Sequence, residues 1–469
     1  MSRNYEISVR EFLRLSREGG IDYADFIEHF TNVLRKINEK FGYLHTIHDI
    51  NRDHLNEGLY GLPISVKDNI CVAGMQSSAG SRILDGYVPF FDATSVKKVK
   101  VGGGKIIGKT NQDEFGFGTF SVNSGYEVPK NPLDPERTCG GSSGGAAGLA
   151  KAIRMPHIAL AESTGGSISC PASFCGVIGL TPTYGLVSRY GLIDYANSLD
   201  KIGPIGDTVE DVALMLSIIA GHDQRDATSI ARHNIDYTKH IKKNIKGMKI
   251  GVPKEYFKNI DPKVKKKVEG AIDKLEELGA KTKKISLPTT RFALSAYYII
   301  ATSEASTNLA KFSGLRYGAH EPLEGNFNEY FSHVRTKHLG EEAKRRIILG
   351  TFARMSGYRD AYYLKAMKVR TLIINDFKKA FKKVDVLAAP TMPILPPRFK
   401  EIERLKPLQH YQMDVLTVPP NLAGIPMISV PCGNSGQLPV GLHLMADHLQ
   451  EGKIIEAASA LESALVKGK

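Results

Sequence analysis

The chain has no tryptophan, and 5 of its 469 residues are cysteine. Those five, Cys71, Cys139, Cys170, Cys175 and Cys432, are odd in number and form no CxxC pair. A disulfide framework and a thiolate zinc site are therefore not indicated, and a reducing compartment is the simplest setting. Also missing is any run approaching the ~18 consecutive apolar residues of a membrane span. Residues 1–12 lack the apolar core of a secretory signal, so the expected location is the cytoplasm, with no membrane partner. No internal repeat or low-complexity linker interrupts the chain, which favours one large domain over separable modules.

What is present is the composition of a globular protein. At 42% hydrophobic and 24% charged residues the chain can bury a core and keep a wet surface, which excludes disordered and fibrous classes. Its net charge, 62 − 49 = +13, invites a nucleic-acid reading. The lysines between positions 239 and 284, however, alternate with apolar residues at helical spacing, as on the solvated side of helices. Charge without a reading motif does not make this chain by itself a nucleic-acid binder.

Ser8 and Glu11 form an S-x-x-E capping box ahead of Val9, Phe12 and Leu13, with Gly19 and Gly20 closing a short helix. Phe26, Phe30, Val33, Leu34 and Ile37 mark the apolar stripe of a second helix. From 61 to about 206 glycine is dense, and short apolar runs at 62–66, 105–108 and 157–161 alternate with helical stretches, an α/β pattern. The pattern returns at 249–286, where Asp261 is the expected N-cap and Pro262 the first residue of a helix with Val264, Val268, Ile272, Leu275 and Leu278 on one face. Residues 290–382 read mainly as helix. Strand-like 386–389 and 428–431 precede a C-terminal helix rich in alanine and leucine.

Two motifs mislead. GGKIIGKT at 103–110 satisfies the P-loop expression, but a P-loop needs a strand before its first glycine and a helix after its Lys-Thr. Here a helix-like 95–101 comes first, and Ile106 and Ile107 suit a strand. GGSSG at 140–144 contains the GxSxG of a hydrolase nucleophile elbow, yet residues 131–138 carry two prolines and no apolar run to serve as the strand an elbow requires. None of the 14 histidines stands out as a base.

Two serine-bearing glycine loops remain, CGGSSGGAAG at 139–148 and STGGSISCP at 163–171. Glycines let backbone N–H groups turn inward toward an oxyanion, with a serine beside them as nucleophile. The base can be a lysine if it is buried, because desolvation disfavours its charge. Lys67 stands where such a residue would, after Leu62, Ile64 and Val66 on one strand face and before a turn at Asp68-Asn69. The plainer alternative is a solvated lysine paired with Asp68.

Taken together and in this order, GLPISVKDN at 61–69, GKTNQDE at 108–114, CGGSSGG at 139–145 and TGGSI at 164–168 resemble the amidase signature family of serine hydrolases. The resemblance continues through GLTPTYGLVSR at 179–189 to VPPNLAGIP at 418–426. It implies an α/β fold: a single large amidase-signature domain over 51–469, its mixed central β-sheet covered by helices on both faces and its portion at 290–382 mainly helical, with N-terminal helices at 1–50 packing on the core. It further implies a Ser-Ser-Lys triad. Ser167 would be the acylated nucleophile, Ser142 the proton relay following a cis peptide at Gly141-Ser142, and Lys67 the base. The amides of Thr164, Gly165, Gly166 and Ser167 would form the oxyanion hole, and Ser143 would be a loop hydroxyl with no catalytic part.

Residues 184–200, 346–370 and 411–422 are most similar to the branch that serves tRNA-dependent amidotransferases. That similarity implies hydrolysis of glutamine, with Arg346 holding its α-carboxylate, Asp414 near its α-amino group and Tyr297 lining the pocket. A cation and an anion are what a zwitterion requires; outside the resemblance Arg346 reads as a solvated helix charge and Asp414 as a cap. The same branch implies partner subunits B and C in a heterotrimer, with ATP and Mg at a partner, no cofactor or metal in this chain, and aminoacyl-tRNA, Glu-tRNA(Gln) or Asp-tRNA(Asn), handled by the complex.

Two positions depart from the family pattern. Ser163 and Ser169 stand where Asp and Arg are usual, as though a local ion pair had been deleted. The spacing from Ser142 to Ser167, 167 − 142 = 25, is one longer than the resemblance leads one to expect. A free-standing amidase acting on another small amide, and a non-catalytic scaffold or RNA-binding subunit, are the alternative readings.

Overall fold

In the computed structural model, which describes residues 5–51, 58–232, 235–241 and 244–467, Ser8 caps helix α1 (Val9–Arg17) by accepting from the Glu11 amide at 3.2 Å. The reciprocal half of the box is replaced: the Glu11 carboxylate takes Arg14 Nε at 3.0 Å and Nη2 at 2.7 Å. Helix α2 (Tyr23–Phe41) begins at Asp22 and ends at Gly42, whose left-handed φ of 69° closes it. Phe12 and Phe26 pack their rings 4.8 Å apart between the two helices, both fully buried with Phe30. The chain then enters β1 (Leu44–Ile47), so the segment expected to consist of helices also contributes a strand to the sheet.

The strands that follow are β2 (Pro63–Lys67), β3 (Lys105–Thr110), β4 (Ile158–Ser163), β5 (Ile178–Thr181), β6 (Lys201–Gly206), β7 (Lys249–Pro253), β8 (Lys281–Ile285), β9 (Val386–Pro390), β10 (Met427–Ser435) and β11 (Leu438–Ala446). They form one eleven-stranded sheet in the order β1-β3-β2-β4-β6-β5-β10-β11-β9-β7-β8. It is mixed: β3, β2 and β4 run parallel, as do β9, β7 and β8, while the pairings between these two groups are antiparallel.

Because successive strand residues point to opposite faces, the sheet feeds two cores. On β9, Val386 and Ala388 join one cluster while Leu387 and Ala389 join the other. The first face is covered by α1, α2, α3 (Thr94–Val101), α4 (Gly144–Ala152), α6 (Val209–Ile219), α7 (Pro262–Glu277) and the C-terminal helix α15 (Glu451–Lys467). Helices α8 (Ala293–Asn308), α9 (Phe327–His338), α10 (Glu341–Arg354) and α11 (Lys365–Phe381) build the other, with α14 (Val418–Ala423). Between α4 and β5 lies α5 (Ser169–Cys175), and two short helices, α12 (Phe399–Ile402) and α13 (Pro407–Gln412), precede α14. Helices thus cover both faces, and 290–382 is the helical portion that the periodicity predicts.

Asp261 caps α7 through the Lys263 amide at 2.7 Å, and Val264, Val268, Ile272 and Leu275 are buried as expected, while Leu278 lies just past its last turn. The lysine-rich stretch is not all helix: Lys281, Lys283 and Lys284 are exposed on β8, the edge strand. Charged lysines there block the pairing of another strand, which gives part of the basic charge a structural use. Lys242 and Lys243 of that stretch lie outside the described residues. None of the described helices is long and apolar enough to cross a membrane.

Candidate active site

The parallel strands β2, β3 and β4 end side by side, so Lys67, Thr110 and Ser163 deliver their following loops to one edge of the sheet. Lys67 is fully buried, and its Nζ donates to Ser142 Oγ at 2.8 Å, to the Glu162 carbonyl at 3.1 Å and to Glu162 Oε2 at 2.9 Å. The solvated alternative is excluded. Asp68 turns the other way, accepting from the Ser78 and Gly80 amides at 3.1 and 2.8 Å and meeting His45 Nε2 at 2.6 Å.

Ser142 lies in the first glycine loop after a cis Gly141–Ser142 peptide. A Cβ on Gly141 would stand 2.3 Å from Asp113 Oδ2, so only glycine fits. Ser143 fastens the two loops together: its amide donates to the Ser167 carbonyl at 3.3 Å and its hydroxyl to the Glu162 carbonyl at 3.1 Å. Both misleading motifs dissolve in context. Helix α3 precedes Gly103 and β3 contains Ile106 and Ile107, while Lys109 is fully buried with Nζ on the Ile70 carbonyl at 2.5 Å. No strand leads into Gly140.

In the second loop, Gly165, Gly166 and Ser167 line a narrow cleft together with Gly116, Gly118, Gly141, Tyr297, Arg346 and Asp414. Side chains cannot replace these glycines, since a Cβ on Gly165 would meet the Tyr297 hydroxyl at 2.5 Å and one on Gly166 the Thr417 hydroxyl at 2.3 Å. Thr164 is not part of the lining. Its hydroxyl lies between Glu162 Oε1 at 2.7 Å and Asp200 Oδ1 at 2.8 Å. Ser142 stands behind the wall, 3.5 Å from where a Cβ on Gly116 would be, and Ser167 Oγ has no hydrogen-bond partner among the described residues.

Arg346, on α10, is neither solvated nor loosely held. Its Nε donates to Glu342 Oε1 at 2.8 Å and its Nη1 to the Tyr195 hydroxyl at 2.7 Å. The rings of Phe117, Tyr195, Tyr298 and Tyr411 surround the guanidinium at 5.1, 5.7, 5.3 and 5.4 Å, a setting that favours a planar cation. Asp414 accepts from the Tyr298 hydroxyl at 2.6 Å and the Thr119 hydroxyl at 2.8 Å, and burial pushes its carboxyl up to about 6. The cleft therefore sets a cation and an anion around the exposed edge of Ser167.

Glu162, Thr119, Tyr195, Tyr298, Glu342 and Tyr411 escape the sequence reading. Glu342 alone has a local signal, four residues before Arg346 on one helix. The neutral side chains at 163 and 169 make no ion pair with each other. Ser163 Oγ is buried without a partner and Ser169 Oγ lies 3.3 Å from His443 Nε2, but an acid has not vanished from the segment: Glu162, one position earlier and 1% exposed, carries it to Lys67.

Residues 44–455 match the family described as Amidase. The chain is 47% identical over 468 residues to the A subunit of glutamyl-tRNA(Gln) amidotransferase from Halothermothrix orenii, covering 98% of each. It is 50% identical over 423 residues to the protein of the same description from Methanococcoides burtonii, covering 90% of this chain and 88% of that one. Among solved structures, the A subunit of glutamyl-tRNA(Gln) amidotransferase from Thermotoga maritima superposes with a TM-score of 0.84 at 37% identity, covering 98% of this chain and 95% of that one.

Proposed function

The chain belongs to the amidase signature family, and from that membership we propose that it is the glutamine-hydrolysing subunit of a tRNA-dependent amidotransferase. The observation that carries the reading is the buried contact of Lys67 Nζ with Ser142 Oγ at 2.8 Å, behind a cleft where Ser167 faces Arg346 and Asp414. Lys67 as free amine takes the Ser142 proton; when glutamine binds, the Ser167 hydroxyl turns from its unbonded position to Ser142 Oγ, which takes its proton, and Ser167 Oγ attacks the side-chain amide carbon of glutamine. The oxyanion that forms meets the backbone of Gly165, Gly166 and Ser167. The protons return to the leaving nitrogen, ammonia departs, and water hydrolyses the glutamyl ester to glutamate. An arginine and an aspartate around one small cleft suit an amino-acid zwitterion better than a neutral aryl or alkyl amide.

Ammonia released here passes to partner subunits B and C, where ATP and Mg activate Glu-tRNA(Gln) or Asp-tRNA(Asn) and amidation yields Gln-tRNA or Asn-tRNA; the net charge of +13 suits a cytoplasmic assembly that handles tRNA. Co-expression with those subunits tests the proposal. A stable complex that forms Gln-tRNA or Asn-tRNA only with glutamine present is expected, and a chain that hydrolyses simple amides but not glutamine would sink it.

The Asp414 carboxyl supplies a pH test. Its charge is present above about 6 and lost below, because burial raises the pH at which it takes a proton. Only the charged form attracts the glutamine ammonium, so KM for glutamine is expected to rise as pH falls through 6. Asp414→Asn should raise KM at neutral pH and flatten that dependence; an unchanged profile would remove Asp414 from the substrate site.

A further inference from the structure

Glu162 has no place in the reaction just described, yet it makes the most intimate contact with the proposed base. Its Oε2 accepts from Lys67 Nζ at 2.9 Å and from Asn69 Nδ2 at 3.1 Å, and its Oε1 faces the Thr164 hydroxyl at 2.7 Å. All of these groups are buried.

The two carboxyls that meet at Thr164 share one proton. The Thr164 hydroxyl has one proton but two carboxyl oxygens within reach, Glu162 Oε1 at 2.7 Å and Asp200 Oδ1 at 2.8 Å. One carboxyl must hold a proton and donate it to Thr164. The other oxygen of Asp200 is taken by the Tyr195 and Ala196 amides, each at 2.9 Å. Burial, reinforced by the nearby Glu162, pushes the Asp200 carboxyl well above the usual range. With that proton on Asp200, Thr164 passes the bond on and both oxygens of Glu162 are left as acceptors, Oε2 toward Lys67 Nζ.

We propose that Glu162 is a positioning residue of the hydrolytic centre whose charge holds Lys67 in the ammonium form and so sets the pH at which the base becomes available. An ammonium has no lone pair and cannot take the Ser142 proton; it must first lose one proton to solvent. An anion in contact opposes that loss. The other ionisable groups come from every neighbouring element. Asp113, beyond β3, faces Lys67 and Arg346, Asp200 and Lys201 at β6 face Glu162, and Tyr195 borders the same glycine, Gly116, as Ser142 and Glu162.

The inference rests on the glutaminase reading, and its test separates the two. Ammonia release by the chain co-purified with its partner subunits is measured from acid to alkaline pH. Glu162→Gln, which keeps the shape, and Glu162→Ser, which removes the carboxyl, are each expected to move the acid limb of kcat/KM to lower pH by about one unit or more. Glu162→Asp, which keeps the charge, should leave the limb where the wild type has it, even if kcat falls. Coincident limbs in the wild type and the neutral variants, with ammonia release still lost in Ser167→Ala, overturn the role of Glu162 alone. Ammonia release that persists in Ser167→Ala overturns the hydrolytic reading and this inference with it.

Discussion

Ser167→Ala is expected to lower ammonia release from glutamine by about 10³-fold or more, because removal of a nucleophile leaves only binding and oxyanion stabilisation to act. The loss should fall on kcat. Arg346 and Asp414, which would hold the two ends of the amino acid, are fixed by their own partners, Glu342, Tyr195, Tyr298 and Thr119, and none of these bonds involves Ser167. Glutamine binding measured by calorimetry should therefore remain near the wild-type value. Folding should also be unaffected, since Ser167 Oγ makes no hydrogen bond among the described residues. In the assembled complex the variant should still form Gln-tRNA or Asn-tRNA when ammonium salts replace glutamine. Ammonia release at the wild-type rate would identify another nucleophile; loss of both ammonia- and glutamine-driven amidation would point to a damaged assembly instead.

The second large effect concerns Lys67. Lys67→Met fills similar space without a proton acceptor, and kcat is expected to fall by about 10²- to 10⁴-fold, the usual contribution of a general base. Here a structural cost accompanies the chemical one. The substitution leaves Glu162 buried and without its cation, and breaking one side of a buried ion pair destabilises a protein by about 3–5 kcal/mol. The two effects separate in a double variant. Lys67→Met with Glu162→Gln removes both charges, so thermal stability should recover toward the wild type while kcat stays as low as in Lys67→Met alone. Recovery of activity along with stability would mean that Lys67 acts by holding the fold, not by moving a proton.

Much of the site is legible along the chain because its signals are local. The alternation of Leu62, Ile64 and Val66 before Asp68-Asn69 places Lys67 at a strand end, and dense glycine around Ser142 and Ser167 marks loops where backbone approaches closely. The same locality explains the failures. Glu162 reads as the tail of an apolar run, and its partner Lys67 is 95 positions away. The Arg346 cage draws Tyr195 from 151 positions away, and no spacing along the chain connects them. Ser163 and Ser169 illustrate the limit from the other side: two missing charges are visible in the sequence, but the charge that turns to Lys67 is recognisable only once β4 lies beside β2.

The helix starts at Ser8 and Asp261, the period of each strand, the glycine loops and, through their order, the family all follow from the order of residues alone. These depend on neighbours within a few positions, where backbone geometry and side-chain period act directly. It took the folded chain to establish that Lys67 pairs with Glu162 and Ser142 rather than with Asp68, that Arg346 is buried among four aromatic rings, and that Asp414 is buried deeply enough to push its carboxyl up. Desolvation makes the difference: the charge a side chain holds depends on what excludes water from it and what bonds it there, and the sheet order brings those groups from distant parts of the chain.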